Sequence, residues 1–281
     1  MNLFRNLKLP LFALSIAWIC SCEEVVDPPQ INNIEDKLVV NAIFLATDDT
    51  LRVEVYRSEK AFGIRGNFRS SDLIPDAVVT ISNGTETQSF AYSERLQVYQ
   101  LAASAFPIDE VTTYQLKVST EEFSVSALAI PNQKLNSLES FVINEDESLT
   151  VSWRDISGSV DNYRLAGLYI STTVEPDSSI IRSEQQRYFF GDDFTSDSDR
   201  DGQILAETGS AFGFDPGQVN QNDSIAILIF NYNEIYEDYF RVASNFNFDD
   251  PFSEPVQLPS NISGGLGIFS IVQTSRFVVK P

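Results

Sequence analysis

Leu38-Val39-Val40-Asn41-Ala42-Ile43-Phe44, a turn at Asp48-Asp49, then Leu51-Arg52-Val53-Glu54-Val55-Tyr56: the reading of this stretch decides the fold class. The first segment is a short apolar run of the buried-strand type. The second alternates apolar and polar with period two, so one face meets a core and the other meets water. Strand and turn then repeat down the chain. Residues 77–82 close at Asn83-Gly84, a strong hairpin signal. Residues 98–101, 114–118 and 123–127 read as further strands, with turn signals spaced as in a sandwich. Pro131-Asn132-Gln133 marks a boundary. Beyond it, residues 148–153, 162–170, 225–230 and 268–279 read as strands. An open terminal strand would invite edge pairing, so the last is expected to be internal or covered.

The expected fold is therefore mainly β: two β-sandwich domains, immunoglobulin-like or fibronectin type III-like, over 37–133 and 134–281. Trp153 followed by Tyr163 resembles strands B and C of a fibronectin type III sandwich. Both are expected in a core, with sugar stacking as the other role open to such aromatics. One amphipathic helix is expected in the second domain, over 232–243. Tyr232, Ile235, Tyr236, Tyr239, Phe240 and Ala243 recur at helical spacing, with Glu234, Glu237, Asp238 and Arg241 on the other side. Asn231 or Asn233 can cap it. Such a stripe is a packing face or a docking face for a partner.

Composition removes whole classes of chemistry. The 281 residues include no histidine, two cysteines, and 19 Lys+Arg against 40 Asp+Glu, a formal net charge of −21. Without histidine there is no Ser-His-Asp or Cys-His catalysis and no His-ligated metal. Two cysteines cannot build a Cys₄ site. The acidic balance argues against nucleic acid, which needs a basic footprint. Carboxylates are abundant, but no spacing singles out a catalytic pair, so no enzyme is expected.

The N-terminus reads as an address. Arg5 and Lys8 precede an apolar stretch over 9–19, followed by Cys20-Ser21-Cys22. This has signal-peptide proportions and is too short to span a bilayer. Ile19-Cys20-Ser21-Cys22 resembles a bacterial lipobox, which implies a lipoprotein signal peptide over 1–21 and acylation of Cys22 by palmitate-type chains. An ordinary secretory signal with an incidental cysteine is the other reading. Two or more chains anchor a protein firmly where one does not. Loss of Arg5 and Lys8 with the signal would move the charge from −21 to −23. Residues 22–36 read as a tether. Its Glu23, Glu24 and Asp27 resemble the surface-export signal of Bacteroidota lipoproteins, or form a solvated acidic linker facing the periplasm.

Several segments together resemble one family. They are KLVVNA at 37–42, DAVVTIS at 76–82, VYQL at 98–101 with TYQLKV at 113–118, and the Pro-terminated strand at 124–131. Trp153-Arg154-Asp155, IYEDYFR at 235–241 and PFSEPVQLPSNISGGLGIF at 251–269 complete the set. The chain is identified as similar to the Bacteroidota outer-membrane lipoprotein family called domain of unknown function 4249, over almost all of 34–277. The resemblance implies an accessory or ligand-capture subunit of a TonB-dependent nutrient transporter, held in the outer membrane by its lipid and facing the cell surface. A TonB-dependent receptor is the implied partner, and no catalytic residues carry over. A structural or adhesive surface protein without a transporter partner is the alternative.

Three local patterns remain. Asp197-Ser198-Asp199-Arg200-Asp201-Gly202-Gln203-Ile204 resembles the first part of a calcium loop, with Asp197, Asp199, Asp201 and the Gln203 carbonyl as oxygen ligands. Thr208 stands where that loop carries Glu, and the stretch also reads as an exposed acidic hairpin to which Asp192 and Asp193 add charge. Pro251, Phe252, Asn261, Gly264, Gly265 and Gly267 form either a structural crossover or a partner-facing loop. Asp49-Thr50-Leu51 and Asp223-Ser224-Ile225 resemble Bacteroidota O-glycosylation sites.

Overall fold

Both opening strands bury one face, the apolar run of the first as well as the alternating second. Leu38, Val40, Ala42 and Phe44 of β1 (Leu38–Leu45) are buried, as are Leu51, Val53 and Val55 of β2 (Thr50–Arg57). The two strands pair antiparallel, with Val40 opposite Val55. The computed structural model describes residues 36–58, 73–175, 177, 180–191, 194–211, 222–245 and 258–280. All of these lie in one compact unit.

The remaining strands of the first half are β3 (Val78–Ser82), β4 (Thr87–Ser89), β5 (Ala91–Ser93), β6 (Val98–Ala102), β7 (Tyr114–Ser119) and β8 (Ser124–Ala129). Asn83-Gly84 forms the β3–β4 hairpin as its sequence predicts, with Gly84 at φ 89°. The second half adds β9 (Leu138–Ile143), β10 (Leu149–Arg154), β11 (Asn162–Val174), β12 (Ile180–Phe189), β13 (Thr195–Ser196), β14 (Ile204–Ala211) and β15 (Ser224–Tyr232). Helix α1 (Glu234–Asn245) and β16 (Leu266–Val279) close the order. The fold is mainly β, with open sheets in a sandwich-like arrangement. The small sheet runs β4-β3-β7-β8, and the large one β5-β6-β2-β1-β16-β15-β11-β12-β14-β10-β9.

Strand β16 links the two halves by changing partner along its length. Residues Leu266 to Val272 pair parallel with β1, from Val39 to Leu45. Residues Gln273 to Val279 pair antiparallel with β15, from Asn231 back to Ile225. The terminal strand thus stands between β1 and β15 in the sheet order, each half pairing with one of them. Its alternate halves serve two hydrophobic clusters. One gathers β1, β2, β3, β6, β7 and β8 with Phe269 and Ile271. The other gathers Leu149, Val151, Trp153, Tyr163, Leu165, Tyr188, Leu205 and three isoleucines of β15, with Phe277 and Val279 against it. Residues Ile262, Phe269 and Ile271 therefore pack with the first half although they lie far along the second.

Aromatic contacts fix both clusters. Phe44 meets Phe269 edge-on at 5.5 Å and Phe90 at 6.1 Å. Trp153 meets Tyr163 edge-on at 5.4 Å, both at 0% exposure, so the core reading of this pair holds. Each such pair contributes about 0.5–1.5 kcal/mol beyond its buried area. In the second cluster β12 makes the corner. Its end pairs with β11 through Tyr188 opposite Gly167 and with β14 through Tyr188 opposite Ala211. The boundary segment is stitched down by polar groups. Asn132 Nδ2 donates to the buried Asp161 at 2.6 Å and to Asn231 Oδ1 at 2.9 Å, and Asn231 Nδ2 donates to the Gln133 carbonyl at 3.2 Å. Among the described residues no helix is long and apolar enough to cross a membrane.

Candidate functional site

Helix α1 starts two residues later than its spacing predicts, because Tyr232 still belongs to β15. Asn233 is the cap. Its Oδ1 accepts from the Tyr236 backbone N–H at 3.2 Å and from Ser270 Oγ at 3.0 Å, which ties the helix to β16. Glu234 and Glu237 in the first turn suit the positive end of the helix dipole. Arg241 pairs with Glu237 at 3.4 Å and with Asp238 at 2.6 Å.

The apolar stripe of this helix is half-buried rather than sealed. Tyr232 stacks on Tyr236 at 4.5 Å. Phe194, just before β13, inserts its ring edge-on against Tyr232 (5.3 Å), Tyr236 (6.2 Å) and Phe240 (5.5 Å). The Arg164 guanidinium from β11 lies 5.4 Å from the Phe194 ring and 5.0 Å from the Phe240 ring. A cation over two aromatic faces is attracted by both quadrupoles. Beside it, burial pushes the Glu207 carboxyl up to about 7, with Arg164 pulling the other way. Thr195 Oγ1 donates to Glu207 Oε1. Between the helix and the 194–198 segment opens a cleft of about 440 Å³, lined by Phe194, Ser196, Ser198, Glu237, Phe240 and Arg241 among others. Aromatic edges, hydroxyls and charges of both signs meet there, the mixture expected of a site that orients a polar solute.

The 197–203 loop forms a wall of that cleft, and its acids are arranged differently from the calcium-loop expectation. Asp197 and Asp201 come together with Asp155, which sits just after β10, and one oxygen of each lies within 4.8 Å of the others. Asp199 does not join them: its side chain is 84% exposed and pairs with Arg200 at 3.6 Å. The Gln203 carbonyl is also occupied, accepting from the Asp155 N–H at 2.9 Å. Of the expected set Asp197, Asp199, Asp201 and Gln203, the fold gathers two. It adds Asp155, which no local spacing could have signalled. Asp192 and Asp193 lie outside the described residues.

Each of the three carboxylates is oriented by donors. Asp155 accepts from Tyr163 OH at 2.7 Å and from Gly202 N–H at 2.8 Å. Asp201 accepts from Gly158 N–H at 2.9 Å, and Asp197 Oδ1 from Asp161 N–H at 2.9 Å. Asp197 Oδ2 is buried without a hydrogen-bond partner among the described residues. Burial first, then the neighbouring acids, push the Asp197 carboxyl up to about 6 against one backbone donor that lowers it.

The 261–267 segment is used by the fold itself, in the manner of the structural crossover that is one of its two expected roles. Asn261 Oδ1 accepts from Phe269 N–H at 2.9 Å and its Nδ2 donates to Phe269 O at 2.7 Å, so the amide stands in for a strand neighbour. Gly267 has φ +105°, and a Cβ there would lie 2.1 Å from Val40 O; one on Gly265 would lie 2.7 Å from Leu38 O. The missing side chains let β16 meet β1. Gly264 makes the preceding turn at φ +83°. Pro251 and Phe252 lie outside the described residues, as do Cys22, Glu23, Glu24 and Asp27. Ser224 is only 9% exposed within β15, a position that denies a glycan the room it needs, whereas Thr50 opens β2 half-buried.

Comparison with known proteins bears on this same span. The sequence profile described as "Domain of unknown function (DUF4249)" matches residues 23–277. The chain belongs to the DUF4249 family. In this family member the matched span takes in the cleft, the carboxylate cluster and the glycine junction. No curated protein matches the chain by sequence. Among solved structures it is similar to the FN1–FN3 domains of chicken CNTN1, at 11% identity and TM-score 0.25, over 86% of this chain and 63% of that one. It thus spans less than two thirds of that chain. It is also similar to a chain from a structure titled as a cytokine receptor complex, at 9% identity and TM-score 0.24, over 85% and 94% of the two chains.

Proposed function

We propose that this DUF4249 member is a lipid-anchored outer-membrane protein that works as an accessory or ligand-capture subunit of a TonB-dependent nutrient transporter. In this reading Cys22 carries the lipid, Glu23, Glu24 and Asp27 direct the chain to the cell surface, and a TonB-dependent receptor is the partner. The observation that carries the capture role is the open cleft beside α1. There the half-buried Phe194 and Phe240, the hydroxyls of Ser196 and Ser198, and the charges of Glu237 and Arg241 face one 440 Å³ space. Carbohydrate and peptide ligands both suit such a lining, because ring faces stack while hydroxyls and charges orient. The chemistry is binding rather than turnover, consistent with a chain that has no histidine.

Gentle detergent extraction of native membranes followed by affinity capture tests the partnership. The expected result is co-recovery of a TonB-dependent receptor; recovery of the protein alone contradicts it. Protease added to intact cells tests the location, with cleavage expected and full protection contradicting surface display.

A further inference from the structure

The carboxylate cluster behind the cleft wall has a property that ordinary surface acids lack. Asp155 and Asp197 are 4% and 1% exposed, yet none of the ion pairs among the described residues reaches them or Asp201. The arginines adjacent in sequence are engaged elsewhere, Arg154 with Glu139 at 2.8 Å and Arg200 with Asp199 at 3.6 Å. Buried charge is costly unless compensated. Four neutral donors (Tyr163 OH and the N–H groups of Gly158, Asp161 and Gly202) hold the carboxylates in place and leave Asp197 Oδ2 with nothing. One oxygen of each of the three acids lies within 4.8 Å of the others. Asp201 is exposed, so the cluster is open to water on one side.

We propose that Asp155, Asp197 and Asp201 form a binding site for a hard divalent cation of the calcium class. Three carboxylates supply anionic oxygen and nothing softer, and water at the open side fills the rest of the shell. Calcium accepts six to eight oxygens in irregular geometry, whereas magnesium demands a near-ideal octahedron. The ion ties the end of β10 to both ends of the 197–203 loop. That loop carries Ser198 and follows Phe194 and Ser196, so occupancy fixes one wall of the cleft. The site stands independently of what the cleft captures. The competing arrangement is a proton shared between Asp197 and Asp155, which would satisfy the same oxygen without a metal.

Thermal unfolding of the full chain in mild detergent, stripped with chelator and held above pH 7, distinguishes the two. Millimolar calcium chloride is expected to raise the unfolding temperature by about 5 °C or more, because a ligand bound only to the folded state stabilises it. Magnesium chloride is expected to do less. Asp201→Asn, at an exposed position, is expected to fold and lose most of the calcium shift; Asp197→Asn is expected to lose all of it. Asp199→Asn is expected to keep it. An unchanged unfolding temperature in calcium overturns the proposal, and so does a shift that survives in Asp201→Asn. Should Asp197→Asn fail to fold, the Asp201 and Asp199 variants decide the matter between them.

Discussion

The 197–203 loop and the 261–267 junction are both short polar segments of unusual composition, and they use their residues in opposite ways. In the junction every special residue closes an internal account of space or hydrogen bonding. Asn261 satisfies both backbone groups of Phe269, and Gly265 and Gly267 remove side chains that would collide with β1. In the acidic loop the donors orient the carboxylates, yet one buried oxygen stays unmatched, and among the described residues no ion pair reaches Asp155, Asp197 or Asp201. The glycine-rich phrase therefore serves assembly, while the acidic loop keeps a buried oxygen unmatched. A conspicuous motif marks a geometric demand; which kind of demand shows only when its hydrogen bonds are followed to their ends.

Substitutions at the two loops should fail by different routes. Gly267→Ala should be the most damaging, since its Cβ would overlap Val40 O at a positive φ. A loss of about 4 kcal/mol or more is expected in chemical denaturation, or no folded protein at all. Unchanged stability would mean that β16 does not meet β1 in this register. Asn261→Ala strands the Phe269 N–H and carbonyl and should cost about 3 kcal/mol in the same measurement.

Glu207, half-buried beside Arg164, offers a test through pH. Burial holds its folded carboxyl at about 7, above the ordinary 4.5. Between those values the folded state binds a proton that the unfolded chain has released, so this group's contribution to stability falls as pH rises through 7. Glu207→Gln removes that loss. The variant should be about 1–2 kcal/mol more stable than wild type at pH 8, with the difference vanishing towards pH 4.5. A pH-independent difference would place the carboxyl in water. Smallest of all is Asp199→Asn, expected to change stability by less than about 0.5 kcal/mol, because its side chain is 84% exposed.

Much of the scaffold was legible in the sequence wherever one face was buried and the other wet. β2 and β10 alternate cleanly, and Trp153 and Tyr163 lie where the aromatic pattern puts them. β12 was not legible: Ile180 to Arg187 is exposed or half-exposed at every position, so it carries no hydrophobic period. It is a strand because β11 offers backbone partners along it, with β14 joining only at Tyr188 and Phe189. The mid-length change of partner in β16 was equally invisible, since neither the apolar half up to Val272 nor the more polar half from Gln273 says which strand it meets. At the candidate site, local spacing supplied Asp197 and Asp201 but misassigned Asp199. Asp155 arrives from β10 only through the fold, and no residue-to-residue spacing encodes it. The aromatic stripe of α1 was readable as a face; that Phe194 and Arg164 complete it was not.

A crystal structure of the full chain grown with calcium tests the contrast between the loops most directly. The account predicts an ion bonded by oxygens of Asp155, Asp197 and Asp201 at about 2.3–2.6 Å, with Asp199 turned to solvent. Direct contact between the Asp155 and Asp197 carboxyl oxygens, sharing a proton with no ion between the three acids, would contradict it.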